Sequence, residues 1–235
     1  MAEAAALVAQ RIEGWLKANP PTTLLGLADR LLIASVDRSR LEGPTLAARF
    51  YADVLAAARS DEGVSSFTTL CVCSAAMKDW GVDVDDLVYE LACIARFVDV
   101  ERYAEPFRST ARYWLWRVGL ARSFVDDGAA PADPRHAYAF HTHRVLFASG
   151  YGAIRPVENA GGWCEARSGV DVNCADSVAL ILLCAGCVGR SADVDELWQT
   201  LGRLERKDGA LHTHVDSAAA RHHAACVAVL AASFR

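Results

Sequence analysis

The sequence is short of several things, and each shortage closes off a class of function. It has no apolar run long enough to cross a bilayer. The longest, Ser177 to Gly189, falls well below the roughly 20 residues a spanning helix needs. Its first residues lack a basic cluster ahead of an apolar stretch. Met1-Ala-Glu-Ala-Ala-Ala-Leu is soon interrupted by Arg11, Glu13 and Lys17 and reads as a helix, not a secretory signal. Together these two shortages point to a cytoplasmic protein. Positive charge is not in excess: 24 Lys and Arg face 29 Asp and Glu, for a net charge of -5. With a pI near 5.8, neither nucleic acid nor an anionic membrane surface is an expected partner. No Gly-rich phosphate loop, dinucleotide fingerprint or Gly-x-Ser-x-Gly elbow is present. Asp83-Val-Asp85-Asp86 reads as a helix start, not as an aspartate-rich metal motif. Strand-like alternation is scarce.

Apolar material is abundant. Hydrophobic residues make up 53% of the 235 residues and mean hydropathy is +0.14, enough for a sizeable core. The expected organisation is a single helical domain over 1–235, with sub-regions 1–128 and 134–235. Of eight cysteines, Cys71, Cys73, Cys93, Cys184, Cys187 and Cys226 sit in apolar helical runs, where cysteine behaves as a small buried hydrophobe. In a cytoplasmic setting they stay reduced. Cys164 and Cys174 differ, each lying beside polar residues near an element boundary.

Apolar spacing predicts helices over roughly 2–18, 22–37, 44–59, 64–79, 84–97, 101–125, 134–149, 172–188, 194–206 and 216–233. Pro20 and Pro21 stop the first, and Gly63, Gly81, Gly128 and Gly209 punctuate later turns. Pro106 opens or kinks the 101–125 helix. Tyr103, Phe107, Tyr113, Trp114 and Trp116 spread around that helix as core residues. Ser149 to Gly169 is the longest irregular stretch and a candidate active-site loop.

Residues 82–96 align weakly with 192–206. Each follows an apolar helix and a turn containing Gly81 or Gly189, and Asp193 with Glu196 has capping-box spacing. The pattern fits either a duplicated α-hairpin or simply two capped amphipathic helices. The 194–206 helix is charged, whereas 172–188 and 216–233 are strongly apolar. An outer helix packed on two inner ones is therefore expected. The fold class is all-α: stacked helical hairpins, toroid-like or a partial toroid, with a plain bundle as the alternative.

In the last third of the chain, polar groups stand at the starts of apolar helices: Asp171, Asn173, Cys174 and Asp176 before one, His222 and His223 before another. Lys207-Asp208-Gly209 resembles the turn between outer and inner helices of α/α-toroid enzymes, the terpene-cyclase and protein-prenyltransferase superfamily. That resemblance covers 160–235. It implies a zinc site at Asp171, Cys174 and His223, although the Asp–Cys gap is three here and two there. The run from Trp163-Cys164 to Gly169 is also similar to a stretch of lanthionine cyclases, without their first Gly, their Pro or a following Cys-His-Gly. A further resemblance covers about 138–235. Thr142-His143-Arg-Val-Leu-Phe-Ala-Ser149-Gly150-Tyr151-Gly152 resembles Thr-His-x-Ile-Phe-Tyr-x-Thr-Asp-Phe-Gly of an uncharacterised family of bacterial helical proteins associated with natural-product gene clusters. His222-His223-Ala224-Ala225 resembles that family's Tyr-His-Thr-Thr. Gly150 replaces its Asp, and Ala224 and Ala225 replace its two Thr.

Buried polar groups require partners or a ligand, so the polar ends near 141–143, 173–176 and 222–223 are expected to converge on one cavity. His143, Asp176 and His223 are the candidate catalytic residues, because a carboxylate orients and charges an imidazole that moves protons near neutral pH. Asn173, Trp163, Tyr151 and His222 are candidate substrate contacts. Adjacent helical residues point about 100° apart, so only one of His222 and His223 is expected to face a cavity. Asn173 or Asp171 also reads as a helix cap, Cys184 and Cys187 as core, and His212 and His214 as solvated. No cofactor is needed for such chemistry; zinc on Asp171, Cys174 and His223 is the alternative. The expected function is an enzyme of bacterial secondary metabolism. It would act by acid/base chemistry on a small apolar or amino-acid-derived substrate, in a cyclisation, isomerisation or elimination. The competing expectation is a non-catalytic helical scaffold. Protein partnership would be a homodimer or contact with a biosynthetic enzyme.

Overall fold

The computed structural model describes residues 2–36, 43–154, 156–157, 161–190 and 194–234. Among them the chain is all-helical. Eleven α-helices and one short 3-10 turn occur, with no strand and one isolated bridge, Glu205 to Leu211. None of these helices is long and apolar enough to cross a membrane. The helices are α1 (Ala2–Ala18), α2 (Leu24–Val36), α3 (Gly43–Ala58), α4 (Phe67–Asp79), α5 (Asp85–Ile94) and α6 (Phe107–Arg117). They continue with α7 (Pro134–Ala148), α8 (Trp163–Ser168), α9 (Ala175–Cys187), α10 (Asp195–Arg203) and α11 (Ala218–Ala232).

The chain divides into two compact units, 1–22 with 131–235, and 23–130. In the 23–130 unit, α4 is the central helix and packs on α2, α3, α5 and α6. Its Phe67, Leu70, Cys71, Cys73 and Met77 are almost wholly buried. Burial pushes the Cys71 thiol up to about 12, so it remains a neutral apolar group. The continuous helix expected over 101–125 is broken here. Val100–Arg102 forms a 3-10 turn, Pro106 caps α6, and the helix ends before Gly119, whose φ is +86°. Pro106 has no N–H to extend the helix backwards, and a left-handed glycine cannot continue it forwards. The expected aromatic core is correspondingly smaller: Tyr113 and Trp114 are buried, but Phe107 and Trp116 are exposed.

The other unit is built on α9 and α11, with α1, α7, α8 and α10 packed around them. Every residue of α9 except Asp176 is buried. Nearly all of α11 from Ala224 onward is buried too, largely as alanine, valine and cysteine, whose small side chains let two helices pack along their length. As expected, α10 is the amphipathic partner: Leu197, Trp198 and Leu201 face inward, while Glu196, Gln199 and Arg203 face water. α1 joins this unit through buried Val8, Ile12 and Leu16, packing on α10 and α11. Each unit contains one hairpin of the expected form, α4–α5 and α9–α10. Gly81 and Gly189 are left-handed at the turns, with φ of +78° and +71°. Asp193, the expected cap of α10, lies outside the described residues. All eight cysteines are free, with Cys164 exposed and Cys174 buried.

Candidate functional site

Three segments of one unit converge on a cleft of about 430 Å³: one face of α7, the entry to α9, and the entry to α11. Their local sequences explain the convergence. The Asp133 carboxylate accepts the Arg135 and His136 N–H groups, and Pro134 supplies a preset φ at the first helical position. α7 therefore starts sharply, and Arg135, Tyr138 and Ala139 share the face that lines the cleft. The Tyr138 hydroxyl donates to the Ser177 carbonyl at 2.5 Å and joins α7 to α9. Burial raises the Tyr138 phenol well above its ordinary range, so it stays a neutral donor.

The entry to α9 is a tight polar turn. Asp171 Oδ1 accepts the Asn173 N–H at 3.0 Å, and the Asp171 N–H donates to Ser177 Oγ at 2.9 Å. Cys174, rather than Asn173 or Asp171, is the residue at the cap position, and its side chain makes no capping bond. Asp171 instead spends its carboxylate on closing the turn. Ala175 donates its N–H to the His212 carbonyl at 2.9 Å, so the start of α9 is tied to the segment before α11. That segment leaves α10 through the Asp208-Gly209 turn, with Gly209 at φ +84°, and presents Thr213, His214 and Val215 to the cleft. Ser217 then caps α11 by accepting the Ala220 N–H.

Two aspartate–histidine pairs result, each joining the entry of α9 to that of α11. His214 Nε2 lies 2.6 Å from Asp171 Oδ2, and His223 Nε2 lies 3.6 Å from Asp176 Oδ1. The Asn173 N–H, then His214, hold the Asp171 carboxyl below its usual range. Asp176 Oδ1 is itself buried, yet within the described residues it makes no hydrogen bond.

The residues expected at a site are distributed unevenly. Asp171, Cys174, Asp176 and His223 all line the cleft. His143 does not line it, and it lies in the body of α7 rather than at a helix start. Its Nδ1 donates to the Ala139 carbonyl at 2.6 Å, and its ring is 5.7 Å from that of Phe147. Burial lowers its pKa, the Ala139 carbonyl partly offsets this, and the charges of His223 and Asp176 reach it. His222 points away from the cleft, as the angle between neighbouring helical residues requires. It is buried, with its ring 6.4 Å from Trp15 of α1 and its Nδ1 3.6 Å from Cys226 Sγ. Asn173 is exposed beside the turn it helps to close, Trp163 is half-buried at the start of α8, and Tyr151 packs near Phe147; none of these three lines the cleft. Among the described residues of the expected loop between Ser149 and Gly169, only Gly169 reaches it, and part of that stretch is helix α8.

The zinc set is not supported by its donors. Among the described residues no three His, Cys, Asp or Glu side chains stand close enough together to share a metal. The Asp171 carboxylate is already engaged by His214 and Asn173. Sequence reasoning did not place His214, Arg135 or Tyr138 at the cleft, although its reading of His214 as solvated holds, the side chain being 39% exposed. The spacing of Arg135, Tyr138 and Ala139 on one helical face was available as a signal. The Asp171–His214 contact spans 43 residues and had none. Compared with protein families, curated proteins and solved structures, the chain matches none.

Proposed function

We propose that this cleft binds a small, largely apolar molecule and that His223, oriented by Asp176, moves a proton to or from it. The reading rests on one observation: Asp176 and His223, from different helices, face each other at 3.6 Å in a cleft whose other walls include Tyr138, Leu180 and Val215. The volume of about 430 Å³ falls within the ordinary range of small-molecule sites. A carboxylate this close to an imidazole stabilises positive charge on the ring, so the pair can accept a proton from a substrate and return it. His143, with its Nδ1–H committed to Ala139, lies within reach of the pair's charges but does not line the cleft. An isomerisation or elimination needs only such transfers. The toroid and natural-product resemblances are compatible with this chemistry but add no step to it.

The test is proton exchange. A set of small carbonyl compounds and amino acids is incubated with the protein in heavy water, and loss of carbon-bound proton signals is followed by NMR. Exchange by the wild-type chain that falls by about two to four orders of magnitude in His223→Gln and Asp176→Asn supports the reading, that being the usual contribution of a positioned acid or base. Exchange that persists in both variants, or none with any compound, counts against it.

A further inference from the structure

From the cleft's charges and walls, we infer that it recognises an amino acid as its zwitterion, with the ammonium on Asp176, the carboxylate on Arg135 and an apolar side chain against Tyr138, Leu180 and Val215. The inference rests on the reading of this cleft as a small-molecule site and names what enters it.

The charges in the cleft divide into spent and unspent. Asp171 is spent: one oxygen accepts the Asn173 N–H at 3.0 Å and the other faces His214 at 2.6 Å. Asp176 is only partly so. Its Oδ1 is buried, faces His223 at 3.6 Å, beyond hydrogen-bond distance, and accepts no hydrogen bond from any described residue, while the side chain as a whole is 37% exposed and lines the cleft. A buried carboxylate oxygen left this way is unfavourable until a donor reaches it. Arg135 is the complementary case. It is exposed and lines the same cleft, and its charge acts on Asp171 and on Asp133. A guanidinium presents a planar fork of donors that suits a carboxylate.

These two groups set the charge of the ligand. A simple amine would satisfy Asp176 and leave Arg135 unused, while a simple carboxylate would meet Arg135 but bring a second negative charge into the cleft beside Asp176. A zwitterion satisfies both and adds no net charge. Apolar area dominates the remaining wall, which favours a hydrocarbon side chain over a polar one. His223 then stands beside the bound ammonium, where it can exchange a proton with the ligand.

Binding is measured by calorimetry with four probes on the full chain: leucine, ε-aminocaproate, isocaproate and isoamylamine. Leucine and ε-aminocaproate carry both charges at short and long separation; isocaproate lacks the ammonium and isoamylamine lacks the carboxylate. At least one zwitterion should bind tenfold or more tightly than both singly charged probes. Asp176→Asn should remove its advantage over isocaproate, and Arg135→Gln its advantage over isoamylamine, with both variants retaining the wild-type circular dichroism spectrum and melting temperature to within a few degrees. If either variant unfolds, Asp176→Ser and Arg135→Met take its place, and the same selective losses are read. Equal binding of zwitterion and amine, undiminished binding in Arg135→Gln, or no binding of either zwitterion overturns the inference. Failure of the zwitterions while His223-dependent proton exchange persists on other compounds sinks only this inference. Zwitterion binding without any exchange sinks only the proton-transfer reading.

Discussion

His143 shows how one residue's surroundings set its response to pH. Its Nδ1 must carry a proton to donate to the Ala139 carbonyl, so the neutral ring leaves Nε2 as the base. Burial lowers its pKa below the ordinary histidine value, which means the unfolded chain takes up a proton more readily than the folded one. The stability tied to this group is complete above the unfolded pKa of about 6.5 and is lost as pH falls from there through the depressed folded value. Thermal melts should show a drop in melting temperature on acidification from about pH 7.5 to 5.5 that is smaller in His143→Gln, by the same linkage. Identical pH slopes in the two proteins would show that another group carries the effect. His214 makes the contrast. Both it and Asp171 are more than a third exposed, so solvent screens their 2.6 Å contact. His214→Ala should cost no more than about 1 kcal/mol in chemical denaturation, the range of exposed ion pairs.

At the scale of elements, close approach is set by glycine. Gly186 lies within α9, where Ala would ordinarily be favoured by about 1 kcal/mol. A Cβ there would stand 2.5 Å from the Cβ of Phe234, and one on Gly152 would stand 2.1 Å from its ring. Rotating the ring relieves the second clash but not the first, because Cβ does not move with the ring. Gly186→Ala should therefore destabilise the protein by about 1–3 kcal/mol, the usual cost of overpacking. In a Phe234→Gly background, which removes that Cβ, the same substitution should become neutral or stabilising. A cost unchanged by removal of the Phe234 side chain would place the strain elsewhere. The elements themselves were largely legible in the sequence: α1, α7, α9 and α11 lie within a few residues of their expected limits, and the contrast between buried α9 and half-exposed α10 followed from charge alone. The break between Arg102 and Phe107 was not placed, because Pro106 serves equally as a kink or a cap until the backbone is seen. The short α8 was hidden in a glycine-rich stretch without periodicity. At the site, the polar starts of α9 and α11 pointed to Asp176 and His223. The third wall did not emerge, since helical periodicity gives α7 a face but not the element that face meets.

The unit holding the cleft is made from both ends of the chain, and the energies of its joining differ greatly. Arg11 meets Glu205 in a forked contact of 2.7–3.0 Å, but Arg11 is half exposed, so the pair contributes at most about 1 kcal/mol. Val8, Ile12 and Leu16 are buried, at roughly 1.5–3 kcal/mol for each side chain, so together they approach the whole stability of an ordinary domain. Ile12→Ala should consequently cost more than Arg11→Ala by about 1–4 kcal/mol in urea denaturation, given the usual cost of large-to-small core changes. A chain lacking residues 2–22 should lose cooperative melting of this unit, and a separate peptide of that segment should restore it. Retention of full stability without the segment would overturn this account of the packing.

The placement of α1 also has a consequence in time. Arg11 and its partner Glu205 are 194 residues apart, and the bed on which α1 lies, α10 and α11, is synthesised long after it. At translation rates of about 5–20 residues per second, the apolar face of α1 stands uncovered for roughly 10–40 s before that bed leaves the ribosome. The 23–130 unit, whose contacting helices are continuous in sequence, can close during this interval. The newborn chain thus passes through a stage with one unit finished and an amphipathic helix still waiting. A chaperone that shields short apolar helices would find its binding site on this protein at Val8, Ile12 and Leu16 during that stage and lose it once α11 folds.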